Sequence, residues 1–315
     1  MAEYKAIRGH TIRTIAGDAS PLVVGDIWYS STTRKIRGAK AGAGAWSTGG
    51  NLNTAKFTMG TGGPQTAAIA ASGSEPPYTA TVETYDGSSW TEVADVSTAR
   101  SGAGSSGTQT AALIFGGYTG SNQAVCEKWN GTSWTEVADM NTARRHTVGM
   151  GTTNTAALFN GGYISSYVGV VEKWNGTSWT EVGDLNSARG YVAATGTTTA
   201  AIAISGEPSP RDYVETYDGS SWSETTEINT ARAQGASFGT QTDAGFFGGE
   251  PGAGDETEIW GGSSWTEVAD LNTGRNALGG RGTTTAGIGI GGGSPSARSE
   301  EWDGAPIAAS SFTSN

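Results

Sequence analysis

The residues that could do chemistry are few. Two histidines, His10 and His146, and one cysteine, Cys126, are spread over 315 residues. A copper redox centre would need histidines grouped with a tyrosine–cysteine pair, and a zinc site would need several Cys or His ligands at short spacing. Neither pattern is present, so the three read as ordinary surface or packed residues and no cofactor is expected. A single cysteine also excludes an internal disulfide framework. Carboxylates are commoner, and a facing pair of them is what glycoside hydrolysis uses. The stretch "GGEPGAGDETE" (248–258) offers glycines and carboxylates to Ca2+, but its spacing matches no defined site and it reads as a solvated acidic loop. "GAKAGAGAW" (38–46) is too irregular for a phosphate loop and reads as a flexible link. "NGT" at 130–132 and 175–177 matches a glycosylation acceptor by accident of turn chemistry.

Recognition without reaction suits another group better. Tyr78, Tyr118, Tyr163, Tyr167 and Tyr213 lie in segments that also carry Glu75, Glu207, Asp212, Glu250, Asp255 and Glu256. Rings stack on the apolar faces of sugars while carboxylates accept from their hydroxyls. The expected ligand-binding set is Tyr78, Tyr118, Tyr163, Tyr167, Glu207, Asp212 and Tyr213. Tyr118 and Tyr163 directly follow a glycine pair, and read equally well as caps on the core.

What must position these residues is a repeat. "WNGTSWTEVADMNTAR" (129–144) returns as "WNGTSWTEVGDLNSAR" (174–189). The second tryptophan of each copy gives the series Trp46, Trp90, Trp134, Trp179, Trp222 and Trp265, spaced by 44, 44, 45, 43 and 43 residues. Five residues before each of the last five stands another aromatic, and ten residues after all six stands a base: Lys56, Arg100, Arg144, Arg189, Arg232 and Arg275. Each period reads as four short strands: an apolar one such as "AALIFGG", the alternating "AVCEKW", an Asn-Gly or Asp-Gly hairpin into "SWTEVADM", and a last strand such as "ARRHTVGM". Fifty glycines exclude a helical protein, and 28 aromatics exclude a disordered one. Four antiparallel strands per period, repeated, predict an all-β propeller of four-stranded blades. Trp302 has no second tryptophan five residues on, and Trp46 has no first aromatic before it. The last blade is therefore expected to be completed by the strand around Trp46, which closes six blades with no edge left over. The paired aromatics and the base are expected to be scaffold, the base bonding carbonyls or carboxylates of a neighbouring blade. The connections between second and third strands differ from copy to copy (74–81, 118–124, 163–169, 207–213, 250–257 and 294–298) and are expected to form a presenting surface.

The glycine pair, the spaced aromatics and the trailing arginine resemble the kelch repeat over residues 46–304. The wording "W-N-G-T-S-W-T-E-V" with "L-N-T-A-R" is similar to kelch-like propellers of tailed bacteriophages, marine ones especially, and "GDIWYSSTTRKIRG" (25–38) resembles a module ahead of such propellers in virion proteins. The resemblance implies a virion location, with synthesis in the host cytoplasm. It also implies a tail fibre or tail-associated adhesin without enzymatic activity, whose loops hold a host-surface polysaccharide or protein. An architectural decoration or tail-wall subunit is the alternative. A glycan-processing enzyme is less favoured, because "YDGSSW" resembles the structural Asp box of sialidases while the arginines recur once per period instead of converging as a trio.

Charge divides the chain. Residues 1–45 hold seven bases against three acids, a net +4, so the rest carries −15 of the overall −11. An acidic body excludes nucleic acid as a partner, since phosphate contacts need Lys and Arg. No apolar run is long enough to enter a membrane, and the start lacks a secretory signal. Residues 1–45 are therefore read as a basic docking arm, 46–304 as the propeller and 305–315 as a tail. The arm is expected to form a hairpin that reaches other virion proteins, with Trp28 and Tyr29 buried on assembly, Arg34, Lys35 and Arg37 set against acidic groups, and the chain forming a homo-oligomer in the particle.

Overall fold

The computed structural model describes residues 13–16, 27–40, 44–74, 77–209, 211–293, 296–304 and 308–311. Residues 45–303 form one unit, and residues 1–44 with 304–315 form another.

The larger unit is a propeller of six four-stranded antiparallel blades. Blade 1 holds Gly60–Gly62, Ile69–Ala71, Val82–Tyr85 and Trp90–Val93; blade 2 holds Gly104–Thr108, Ala111–Phe115, Cys126–Trp129 and Trp134–Val137. Blade 3 runs Val148–Thr153, Ala156–Asn160, Val171–Trp174 and Trp179–Glu181; blade 4 runs Ala193–Gly196, Ala201–Ile204, Val214–Tyr217 and Trp222–Glu224. Blade 5 comprises Ala236–Gly239, Ala244–Phe247, Thr257–Trp260 and Trp265–Glu267. Blade 6 takes Gly279–Thr283, Ala286–Ile290 and Ser299–Asp303, and its outermost strand is Ala45–Thr48, which puts Trp46 opposite Trp302. Closure by the strand around Trp46 is thus as expected. One assignment differs: the segment "ARRHTVGM" does not end its own blade. Val148–Thr153 pairs with Ala156–Asn160 and is the innermost strand of the next blade. The innermost strands run side by side around the axis, the sixth returning to the first. They approach closely: a Cβ on Gly149 would stand 2.2 Å from the Ser105 carbonyl oxygen.

The hairpin turns depend on side-chain capping. Only the glycine takes a positive φ, 97° at Gly131, while Asn130 Oδ1 accepts from the Thr132 and Ser133 amides at 2.9 Å. In "YDGSSW" the Asp86 carboxylate does the same, and its amide and hydroxyl donors, led by the Ser89 amide, hold its pKa down at about 2.

In every blade two aromatics meet at a tilt across the third and fourth strands. Trp129–Trp134, Trp174–Trp179 and Trp46–Trp302 have ring centroids 5.3, 5.4 and 5.5 Å apart. Such pairs contribute about 0.5–1.5 kcal/mol each beyond the area they bury. The second ring also reaches the preceding blade: Trp134 Nε1 donates to Ala94 O at 3.0 Å and Trp179 Nε1 to Ala138 O at 3.1 Å.

The base column joins blades. Lys56, Arg100, Arg144, Arg189, Arg232 and Arg275 contact Glu83, Glu127, Glu172, Glu215, Glu258 and Glu300, each on the third strand of the following blade. Both members of every pair are buried. The glutamate has further donors: Glu172 accepts from the Asn141 amide at 2.7 Å and from Asn141 Nδ2 at 2.9 Å. This explains the recurring "N-T-A-R", which varies to NTAK, STAR, NSAR and NTGR: the amide of its first residue, an asparagine in five copies and Ser97 in the other, and its base clamp one carboxylate of the next blade.

The smaller unit is a four-stranded sheet. Ile27–Ser30 and Lys35–Lys40 form the expected hairpin, flanked by Arg13–Ile15 on one side and by Ala308–Ser311 from the C-terminal segment on the other. The segment read as a separate tail therefore supplies a strand to the arm's sheet.

Candidate functional site

The connections between second and third strands, and those between blades, emerge at the same end of the propeller. Two concentric backbone rings organise that end. The inner ring is Thr58, Gly102, His146, Tyr191, Gln234 and Ala277, two residues beyond each base, all with φ between 51° and 62°. Five of the six amides donate to the preceding member: Gly102 to Thr58, His146 to Gly102, Tyr191 to His146, Ala277 to Gln234, and Thr58 back to Ala277 at 2.8 Å. Outside it, Ser101 exchanges two hydrogen bonds with Tyr118, Arg145 with Tyr163, Gly190 with Glu207, and Ala233 with Glu250. Uniform backbone thereby presents side chains that differ from blade to blade.

From blade 1 to blade 3 those side chains form an aromatic arc. Tyr78 meets Tyr118 edge-on at 6.0 Å, and the Arg145 guanidinium lies 4.1 Å from the Tyr118 ring and 5.0 Å from that of Tyr163. Tyr163 meets Tyr167 edge-on at 5.3 Å. The Tyr167 ring leans over Gly190, where a Cβ would approach within 2.9 Å. The tyrosines are half-buried, so each keeps ring surface accessible.

Blades 4 and 5 put carboxylates at the equivalent places. Glu207 Oε1 pairs with Arg211 Nη2 at 2.7 Å, and Arg211 Nη1 donates to the Glu250 carbonyl. Glu250 accepts from Gln234 Nε2 and Asn276 Nδ2, each at 2.7 Å. Burial first, then the nearby Glu207 charge, raises the Tyr167 pKa. At the centre the His146 and Tyr191 rings stack 4.0 Å apart with Tyr191 Oη 3.0 Å from His146 Nε2. Burial and then the Arg145 charge push the His146 pKa down to about 4, while burial lifts Tyr191 to about 12.

Of the expected set, Tyr78, Tyr118, Tyr163, Tyr167 and Glu207 share this face through a chain of contacts. Asp212 and Tyr213 sit where the loop enters the third strand of blade 4. There their carbonyls accept from Ile228 and Ser205, and neither side chain joins the arc. Glu75 and His10 lie outside the described residues, as do parts of loops 74–81 and 294–298. Arg145, His146, Tyr191 and Gln234 were not singled out for the site; their signal is that they follow an invariant base yet differ in every copy. No group of three or more His, Cys, Asp or Glu suited to a metal occurs among the described residues.

On the arm, Trp28 is only 2% exposed within the single chain, so its burial does not await assembly. Its hairpin neighbours point the other way: Tyr29 is half-buried opposite Ile36, and Ile27 and Ile36 are 41% and 43% exposed. Arg34 and Lys35 are exposed, and Arg37 is half-buried opposite Trp28.

Fold and face together define a β-propeller with a sided, non-repeating loop surface. Compared with known proteins, the chain matches no family model and no curated protein.

Proposed function

We propose that this propeller is a non-catalytic binding scaffold that takes a saccharide on its loop face. We further propose that it is displayed on a tailed-phage particle to which the basic arm attaches it. The observation that carries the reading is the arc Tyr78–Tyr118–Arg145–Tyr163–Tyr167, continued by Glu207 and Glu250, on a backbone that repeats while these side chains do not. Rings supply stacking surface for sugar faces, and the guanidinium and carboxylates match hydroxyl patterns. Catalysis is disfavoured because Glu207 and Glu250 are already held by Arg211, Gln234 and Asn276. The particle assignment rests on the wording of the repeat. The exposed Ile27 and Ile36 beside Arg34 and Lys35 favour the arm as the attached part.

The test is a saccharide array probed with the labelled chain, followed by Tyr118→Ala and Tyr163→Ala. Each variant should weaken binding by tenfold or more, with the melting temperature of the propeller nearly retained. Unchanged affinity in both variants would remove the arc from the site, and binding of the particle through the loop face instead would favour an architectural subunit.

A further inference from the structure

One further base, half-buried at the axis, stands apart from the six-member column. Six residues after the base of each repeat the innermost strands carry Gly62, Ser106, Met150, Thr195, Phe238 and, in blade 6, Arg281. Arg281 reaches across the axis. Its Nε donates to Thr61 O of blade 1 at 2.7 Å, and its Nη2 donates to Ser105 O of blade 2 at 2.9 Å and to Gly149 O of blade 3 at 3.2 Å, with Ser105 Oγ at 3.3 Å. Three blades thus lend it carbonyl dipoles, but no described carboxylate lies within ion-pair distance, unlike every member of the column. Burial alone lowers its pKa, to about 10, so the charge persists at neutral pH. A full charge in a protein interior is costly unless something opposite offsets it.

The third nitrogen shows where that offset can come from. Nη1 donates to no described protein atom, yet it is not sealed off. Arg281 lines two axial cavities. One of about 90 Å³ opens toward His146, Tyr191 and Gln234, and the other, of about 240 Å³, opens toward the opposite end among Gly107, Gly151 and Gly239. Even the smaller has room for several waters or one small ion. Guanidinium donors match oxyanions in charge and geometry.

We propose that the propeller axis is a binding site for a small oxyanion, a phosphate, sulfate or carboxylate group, held on Nη1 of Arg281. The group has two sources, a free ion or the acid of a sugar entering from the loop face. Only the second depends on the saccharide reading above.

The full chain is melted in sodium chloride, phosphate, sulfate, glucuronate and glucose at matched ionic strength. Phosphate or sulfate should raise the melting temperature saturably by a few degrees over chloride. Arg281→Gln should abolish that rise, whereas Arg34→Gln should keep it. A rise with glucuronate alone, absent with glucose, would assign the acid of a sugar. Should Arg281→Gln fail to fold, calorimetric titration of phosphate, sulfate and glucuronate into wild type and Arg281→Lys decides. One-to-one binding that weakens at least tenfold in the lysine variant supports the site. Melting temperatures that match chloride for all three anions, equal shifts in Arg281→Gln, or equal affinity of the lysine variant would overturn it.

Discussion

The column of buried ion pairs makes an asymmetric prediction. In the Arg144–Glu172 pair the Nη1–Oε1 distance is 3.2 Å and both side chains are fully buried. Burial pushes the Arg144 pKa down and Glu172 pulls it back, leaving it at about 10, so it stays charged at neutral pH. Glu172→Gln keeps the shape but strands a buried guanidinium over the Phe159 ring, which should cost about 3–5 kcal/mol. Arg144→Met keeps the stem and leaves Glu172 with the Asn141 amide at 2.7 Å, Asn141 Nδ2 at 2.9 Å and the Thr142 amide at 3.3 Å. Because those charge-assisted bonds survive, its cost should be only about 1–3 kcal/mol. The double variant should be less destabilised than the sum by about 1–3 kcal/mol. Urea unfolding followed by tryptophan fluorescence, with m-values held constant across the four proteins, measures all of these. If Glu172→Gln costs no more than Arg144→Met, or the two add within about 0.5 kcal/mol, the clamp reasoning fails.

Three further outcomes follow from the same geometry. His146 has a folded pKa near 4 against 6.5 for the free group, so the unfolded chain binds more protons between those values. Stability should be full above pH 6.5 and fall by up to about 3 kcal/mol toward pH 4, and His146→Gln should flatten that part of the pH profile in thermal melts. Removing residues 1–50 should open blade 6 and produce aggregation or a large fall in melting temperature, whereas removing 1–43 should leave the propeller closed. Equal behaviour of the two truncations would count against closure by Ala45–Thr48. The proposed attachment through the arm should weaken with salt, since screening shortens from about 10 Å at 0.1 M to about 3 Å at 1 M. Ile36→Asp should weaken it further in a particle-binding assay, and equal protease protection of residues 1–45 in free and assembled protein would argue that the arm has no partner.

Much of this protein is written in short-range pattern. The hairpins, the paired aromatics and the four-strand period are set by residues within about fifteen positions of one another, where alternation and turn chemistry act directly. Even the closing strand was legible, because Trp46 and Trp302 are complementary gaps in one register. The glutamate column was also present in the text, two residues before each first aromatic, but alternation cannot say that Glu172 faces Arg144 rather than water. Nor could reading order assign "ARRHTVGM" to the next blade, since a strand's partner is chosen by the ring and not by adjacency in the chain.

Tertiary structure alone decided the rest. Thr58 bonds Ala277, and Arg281 bonds Thr61, Ser105 and Gly149, across separations of 132 to 220 residues. The aromatic arc likewise exists only because successive loops are brought to one end. A sequence determines what each blade is, since backbone pairing and burial within a blade are local. Which variable side chains share a face, and where a charge is held by carbonyls with no described carboxylate beside it, depends on the closure of six blades around an axis, a constraint that no single period contains.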